Sequence, residues 1–465
     1  MPVSQPETSQ CAEFDAVVVG DCIAALSSCF ELAQLGLRVA LVTGEITVPE
    51  RGLTDASGAL RELFQATETA VSEQLPTQWM RTASGKFGEL EKYSVLGIPA
   101  SPLSSRTMAL IGSTAALRAY LDRVLPVLKI GQHRNLWELV CQRFGAKTAQ
   151  TLLAPQLRYN FAAEVTEVST DVVPGLAAAV GRRGSLADAI FALAARNDSA
   201  ATLLTPQPGW RSWLTDFVTL LQTYNVTIIT GELHDHSFDA QAERHTVMVT
   251  PRRGNFVDPG SLPDSGDTAD AGSCSNPADT AAALVGELLS ARALIIAGVD
   301  PTGSTPATLH SAVVTLPAPT DASGWQCPAE MHEHLAKGGS AELTIDLADI
   351  SHDGAAAQLW CDGEKAPRLE IRGRREITVQ LREQTVELLG VDANAVSAGA
   401  WELGEVFVPA GADKAEAGGS TNNDGAELSA PLYVGAENHG GDLSAALNAS
   451  KPALTVMRRK LAGIA

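Results

Sequence analysis

Residues 15–43, DAVVVGDCIAALSSCFELAQLGLRVALVT, change hydrophobic period twice: a run of valines, an Ala- and Leu-rich stretch at helical spacing, and a second short apolar run. That order predicts a buried strand, a tight turn at Gly20, a helix, and a second strand ending near Thr43. Helical spacing of apolar positions returns over 54–75 and 135–154, where Asn135 stands as N-cap with Glu138 at capping-box spacing and Pro155 then interrupts. It returns again over 184–196 and 210–224. NVTIITG (225–231) and ALIIAG (293–298) read as strands closed by glycine, the second preceded by a helical segment. From 343 to 381, LTIDL, AAQLWCDG and RLEIRGRREITVQL supply β-branched residues around Asp-Gly and Arg-Gly turns, and a helix over 382–389 stops at Gly390. The end of the chain predicts a strand at LYV, a glycine turn, and a helix beginning near Asp442 whose N-terminus points toward whatever sits by Gly440 and Gly441. Two stretches, 251–279 and 410–429, lack apolar periodicity, are rich in Gly, Ser, Asp or Ala, and are expected to be surface loops.

Composition narrows this picture. A chain of 465 residues exceeds what one core usually organises, so two domains with interleaved segments are expected. Apolar residues make up 45% and aromatics 5%, which fits a helix-rich α/β protein, and no apolar run reaches spanning length. The first residues lack the basic start and apolar core of a secretory signal, so a cytoplasmic location is expected. A net charge of −20 opposes binding to a nucleic-acid backbone. The seven cysteines, at 11, 22, 29, 141, 274, 327 and 361, form no C-x-x-C and no zinc spacing with histidine. His234 with His236, and His332 with His334, could each share one face of a strand, but neither pair sits with acidic or Cys companions in a recognisable ligand pattern. They read as surface histidines, and no metal is expected.

The first turn carries the most chemistry. In the dinucleotide fingerprint G-x-G-x-x-G the glycines make the turn, admit a pyrophosphate and pack helix on strand. Here the three places hold Gly20, Cys22 and Ala25. Ala25 is an accepted third residue, whereas Cys22 puts a Cβ and sulfur on the anion's path and Asp21 adds a like charge at the helix start. Replacing both, Cys22→Gly with Asp21→Ala, is therefore expected to favour a bound pyrophosphate.

Taken in order, these segments resemble the protoporphyrinogen and coproporphyrinogen oxidases, a branch of the flavin-containing amine oxidase superfamily. VLGIPASPL (95–103) is similar to the family's G-(I/V)-P-T-x-P-L element, and LWELVCQRFGAKTAQTLLAPQLRYNFAAEVTEVSTDVVPGL (136–176) to its R-x-G-x-x-x-x-x-x-L-x-x-P run. PGWRSWLTDFVTLL (208–221) and the terminal strand, turn and helix complete a likeness that runs nearly end to end.

The resemblance implies an α/β fold in which a Rossmann-like FAD domain of the glutathione-reductase type is interleaved with a mixed helical and β substrate domain. Its boundaries would be 12–53, 225–304 and 430–465 for the first, and 54–224 and 305–409 for the second. It implies oxidation of a porphyrinogen to a porphyrin with FAD as cofactor and O2 as acceptor, in heme biosynthesis, with a tetrapyrrole as partner and no catalytic triad. Implied cofactor contacts are Gly20, Asp21, Cys22, Ala25, Thr43, Glu45, Arg51, Gly435, Gly441, Asp442 and Leu443, and Arg158 or Lys451 would meet a substrate propionate.

Departures concentrate at the cofactor positions. Thr43 stands where the family places a ribose-binding Glu, with Glu45 two residues late; Arg51-Gly52 is followed by Leu53; Trp210 and Lys451 replace glycines, and Asp442 falls about where another is expected. They raise a rival reading, an inactive relative that keeps the fold and binds a porphyrin or a partner protein. A more distant option is another amine-oxidase-type flavoenzyme.

Overall fold

The computed structural model describes residues 12–46, 48–49, 51–125, 135–195, 202–251, 287–298, 308–317, 326, 328–351, 354–362, 366–393, 396, 400–408, 427–435 and 442–464. The two expected loops, 251–279 and 410–429, lie outside these residues apart from Pro251 and 427–429. The chain divides into two compact units, one of residues 1–73, 204–305 and 420–465, the other of 74–203 and 306–419.

In the first unit, strands β1 (Ala12–Val19), β2 (Val39–Thr43), β3 (Thr227–Asp239), β5 (Glu287–Ala297) and β6 (Leu432–Val434) pair in parallel in the order β3-β2-β1-β5-β6. Strand β4 (Arg244–Pro251) runs antiparallel to both β3 and β5. The valine run forms β1 because the strand is covered on both faces. Val18, Leu41 and Ile295 share a core with the helices α1 (Ile23–Ala33), α2 (Ala59–Ala66), α3 (Trp210–Thr223) and α4 (Leu443–Leu461), while Val17, Ala40 and Leu294 pack with Val247 and Val249 of β4. Val17–Val19, Leu41 and Ile295 thus lie in one parallel sheet, as the period change predicts.

Three expectations are corrected here. The helix over 54–75 is only α2: Glu68 takes a positive φ of 52° just past its end, and a short strand, Val71–Gln74, follows. The segment ahead of ALIIAG is strand from Glu287 rather than helix, because it pairs with both β1 and β4. Helices α2 and α3 belong to the first unit, not to the substrate part, since Leu60, Phe64, Trp210, Trp213 and Phe217 join the helix-side core. Aromatic rings meet within that core: Trp213 packs edge-on against Phe64 at 5.3 Å and tilted against Phe217 at 5.1 Å.

The second unit contains a seven-stranded sheet in the order 402–407, 308–315, 368–373, 356–362, 340–346, 77–81, 87–89. All of its pairings are antiparallel except Ser340–Asp346 with Thr77–Arg81. A separate helical core gathers Leu136, Val140, Phe144, Leu153, Leu157 and Ile190. Asn135 caps its helix as expected, accepting from the Glu138 N–H at 3.1 Å. Pro155 does not end the helical path: a π-helical turn over Ala149–Leu153 leads directly into Ala154–Asn160, and the proline lies in the first turn of that second segment. His332 and His334 lie on the helix Ala329–Ala336 and not on a strand, while His234 sits at a bulge in β3 and His236 just beyond it. No group of residues able to hold a metal ion, and no helix long and apolar enough to cross a membrane, occurs among the described residues.

Candidate functional site

Strands β2, β1, β5 and β6 end in one row, because Val19 is in register with Val42 and Ile296, and Ala297 with Val434. The segments leaving that edge carry the residues singled out in the sequence. Gly20, Asp21 and Cys22 follow β1; Thr43, Glu45 and Arg51 end and follow β2; Gly435 follows β6; Asp442 and Leu443 open α4. Gly441 lies outside the described residues.

Gly20 makes the turn with φ +146°, donates its N–H to the Val42 carbonyl at 3.0 Å, and comes so close to β5 that a Cβ would sit 2.7 Å from the Ala297 carbonyl oxygen. Cys22, the N-cap of α1, offers no side-chain cap, and α1 has no acidic residue in its first turn. Its half-buried side chain packs against the helix-side core. Ala25, fully buried, lets α1 lie close on the sheet. The start of α1 therefore keeps its partial positive charge without a side-chain cap.

Asp21 does something its sequence position did not announce. Its Oδ1 accepts from the Thr43 hydroxyl at 2.9 Å and the Gly44 N–H at 2.5 Å. The carboxylate expected to oppose an anion at the helix start is anchored instead at the end of β2. Thr43 itself is buried, and Glu45 is exposed.

The chain beyond β2 is pinned twice more. Trp210 donates its indole N–H to the Arg51 carbonyl at 2.9 Å, so the tryptophan that stands for a glycine holds the backbone of Arg51. Asp55, 5% exposed, accepts from the N–H groups of Leu60 and Arg61 at the start of α2 and from the Ser444 hydroxyl at 2.6 Å, while Ser57 and Ser444 share a 2.6 Å hydroxyl contact. Sequence reasoning missed Asp55, Ser57 and Ser444. The one available signal was DASG (55–58) ahead of an apolar-periodic stretch.

At α4, Asp442 accepts from the Ala445 N–H at 3.1 Å, so this helix start, expected to face a ligand, is capped by its own acid. Lys451 is ion-paired with Glu62 of α2. In the second unit, Arg158 is paired with the buried Asp346 at 3.1 Å, so both candidate propionate contacts already have carboxylate partners. Burial pushes the Cys29 thiol in α1 and the Cys141 thiol above their ordinary value, which argues against either acting as a nucleophile.

No protein-family model and no curated protein matches the chain. Solved structures do. A protein of Exiguobacterium sp. 255-15 assigned as a protoporphyrinogen oxidase shares 12% identity over 98% of this chain and 99% of its own, with a TM-score of 0.64. Cyclohexylamine oxidase from Brevibacterium oxydans IH-35A shares 12% over 97% and 99%, with a TM-score of 0.53. Reduced UDP-galactopyranose mutase shares 11% over 97% and 96%, with a TM-score of 0.52. At these identities the likeness is one of fold, and it agrees with the fold that the sequence resemblance implies.

Proposed function

We propose that the chain is an FAD-dependent oxidoreductase whose first unit holds the dinucleotide along the carboxyl edge of its parallel sheet. The observation that carries this reading is the β1–α1 turn: Gly20 at positive φ, an α1 start without a side-chain cap, and the Asp21 carboxylate bonded to the end of β2 rather than to that helix start. In this reading the N–H groups at the start of α1 receive the pyrophosphate and Arg51, held through Trp210, adds a cation near the same edge. FAD, when bound, supplies the two-electron acceptor. The chain's own residues bind, orient and shield it.

The finer reading is oxidation of a coproporphyrinogen or protoporphyrinogen to the porphyrin with O2 as acceptor, in heme biosynthesis. Segments 95–103 and 136–176 support it, as does the fold likeness to the Exiguobacterium protein. Arg158, 22% exposed, is the proposed propionate contact. One observation favours a second reading: Asp442 already caps α4, and Trp210 and Lys451 stand where glycines are expected. On that reading the chain is a catalytically silent relative that binds a porphyrin or a partner protein.

Given FAD and a porphyrinogen in air, the purified protein is expected to generate porphyrin fluorescence faster than FAD alone. Porphyrin binding without any rate increase would support the second reading, and neither effect would remove both the porphyrinogen oxidase and the porphyrin-binding relative, leaving the partner-binding one.

A further inference from the structure

A dinucleotide site of this fold grips the adenosine ribose with an acidic side chain at the end of the second strand, because the ribose hydroxyls need an acceptor there. Position 43 cannot serve. It is a buried threonine and not an acid, and the acid two residues on, Glu45, is exposed with no hydrogen bond to a described residue that would aim it. A carboxylate nevertheless reaches that place from another strand. Asp21 comes off the turn after β1 and is fastened to the end of β2 by the Thr43 hydroxyl and the Gly44 N–H, both on Oδ1. An ionised carboxylate has room for about four hydrogen bonds. Among the described residues Oδ2 receives none, and the side chain is open to solvent.

We infer that Asp21 supplies the ribose-accepting carboxylate of the dinucleotide site, with Thr43 and Gly44 as the clamp that aims it. The inference rests on the FAD reading above. It also explains how an acid can sit in an anion-binding turn: two donors hold the charge on β2, and the start of α1 is left to the pyrophosphate. The exchange is coupled. A glutamate at 43 would put a second carboxylate against Asp21 and remove its hydroxyl donor.

The test measures dissociation constants of the full-length protein for FAD and for FAD bearing 2′-deoxyadenosine, by flavin fluorescence, alongside melting temperatures. Wild type should prefer FAD roughly tenfold or more, the worth of one hydrogen bond to a charged group. Asp21→Asn keeps an oxygen for the clamp but replaces the charged acceptor with a neutral amide donor, so it should keep the melting temperature and shrink the preference. Asp21→Ala should lose the preference and bind FAD more weakly. Equal weakening for both ligands would make Asp21 a structural tether only, and tighter FAD binding by Asp21→Ala would make it a charge against phosphate; either overturns the inference while the FAD reading stands. A wild type that binds neither ligand overturns both.

Discussion

The Ser444 hydroxyl donates to Asp55 Oδ1 at 2.6 Å across 389 positions of sequence. The same carboxylate caps α2 through the N–H groups of Leu60 and Arg61, so one buried acid ties the segment after β2 to the start of the closing helix. Asp55→Ala removes a cap and strands buried donors at once. We expect a loss of about 1–3 kcal/mol, and a smaller one for Ser444→Ala, which leaves the two N–H partners in place. Urea denaturation midpoints measure both, and an unmoved midpoint for Asp55→Ala would show that the network carries no stability.

In the second unit, Glu370 takes hydrogen bonds from the Tyr159 hydroxyl at 2.6 Å, Ser311 at 2.8 Å and Arg372 at 2.8 and 3.0 Å. Burial acts to raise its pKa, but the Arg372 charge and these donors outweigh it and hold the carboxyl below its ordinary 4.5. A depressed pKa adds stability that is complete above the unfolded value and lost as pH falls through the folded one. The stability gap between wild type and Glu370→Gln should therefore close as pH drops below about 4.5. A gap constant from neutral to acid pH would rule out the ionised form as the source of that stability.

Arg158 was a propionate candidate in the sequence, and its partner Asp346 is a buried carboxyl whose pKa burial raises against the pull of the Ala348 N–H and of Arg158. Arg158→Ala removes the cation ion-paired with that carboxyl, leaving only the more distant pull of Arg81. It should cost about 1–3 kcal/mol at neutral pH and progressively less toward acid pH, where a protonated Asp346 needs no counter-charge. Thermal melts across pH decide it: a variant as stable as wild type at neutral pH would free Arg158 for a purely ligand-binding role.

The β1–α1–β2 unit was legible because strands covered on both faces leave continuous apolar runs, Val17–Val19 and Val39–Val42, on either side of a helical period. The unit to which helices α2 and α3 belong was not legible, because an amphipathic stripe records that a face is buried, not which sheet it is buried against. The side-chain directions at the site were less legible still. Asp21 reads as a charge in an anion turn, and only its contact with Thr43 and Gly44, more than twenty residues away, shows where the carboxylate goes. Asp55 and Ser444, Trp210 and Arg51, and Arg158 and Asp346 are likewise pairs that tertiary structure alone brings together.

The central claim is that the first unit binds FAD, and retention of flavin after desalting tests it most directly. Full-length protein incubated with excess FAD and freed of unbound ligand should keep the visible flavin bands at about one flavin per chain, and Gly20→Ala should keep far less because its Cβ meets the Ala297 carbonyl. Wild-type protein that emerges folded and colourless would contradict the account.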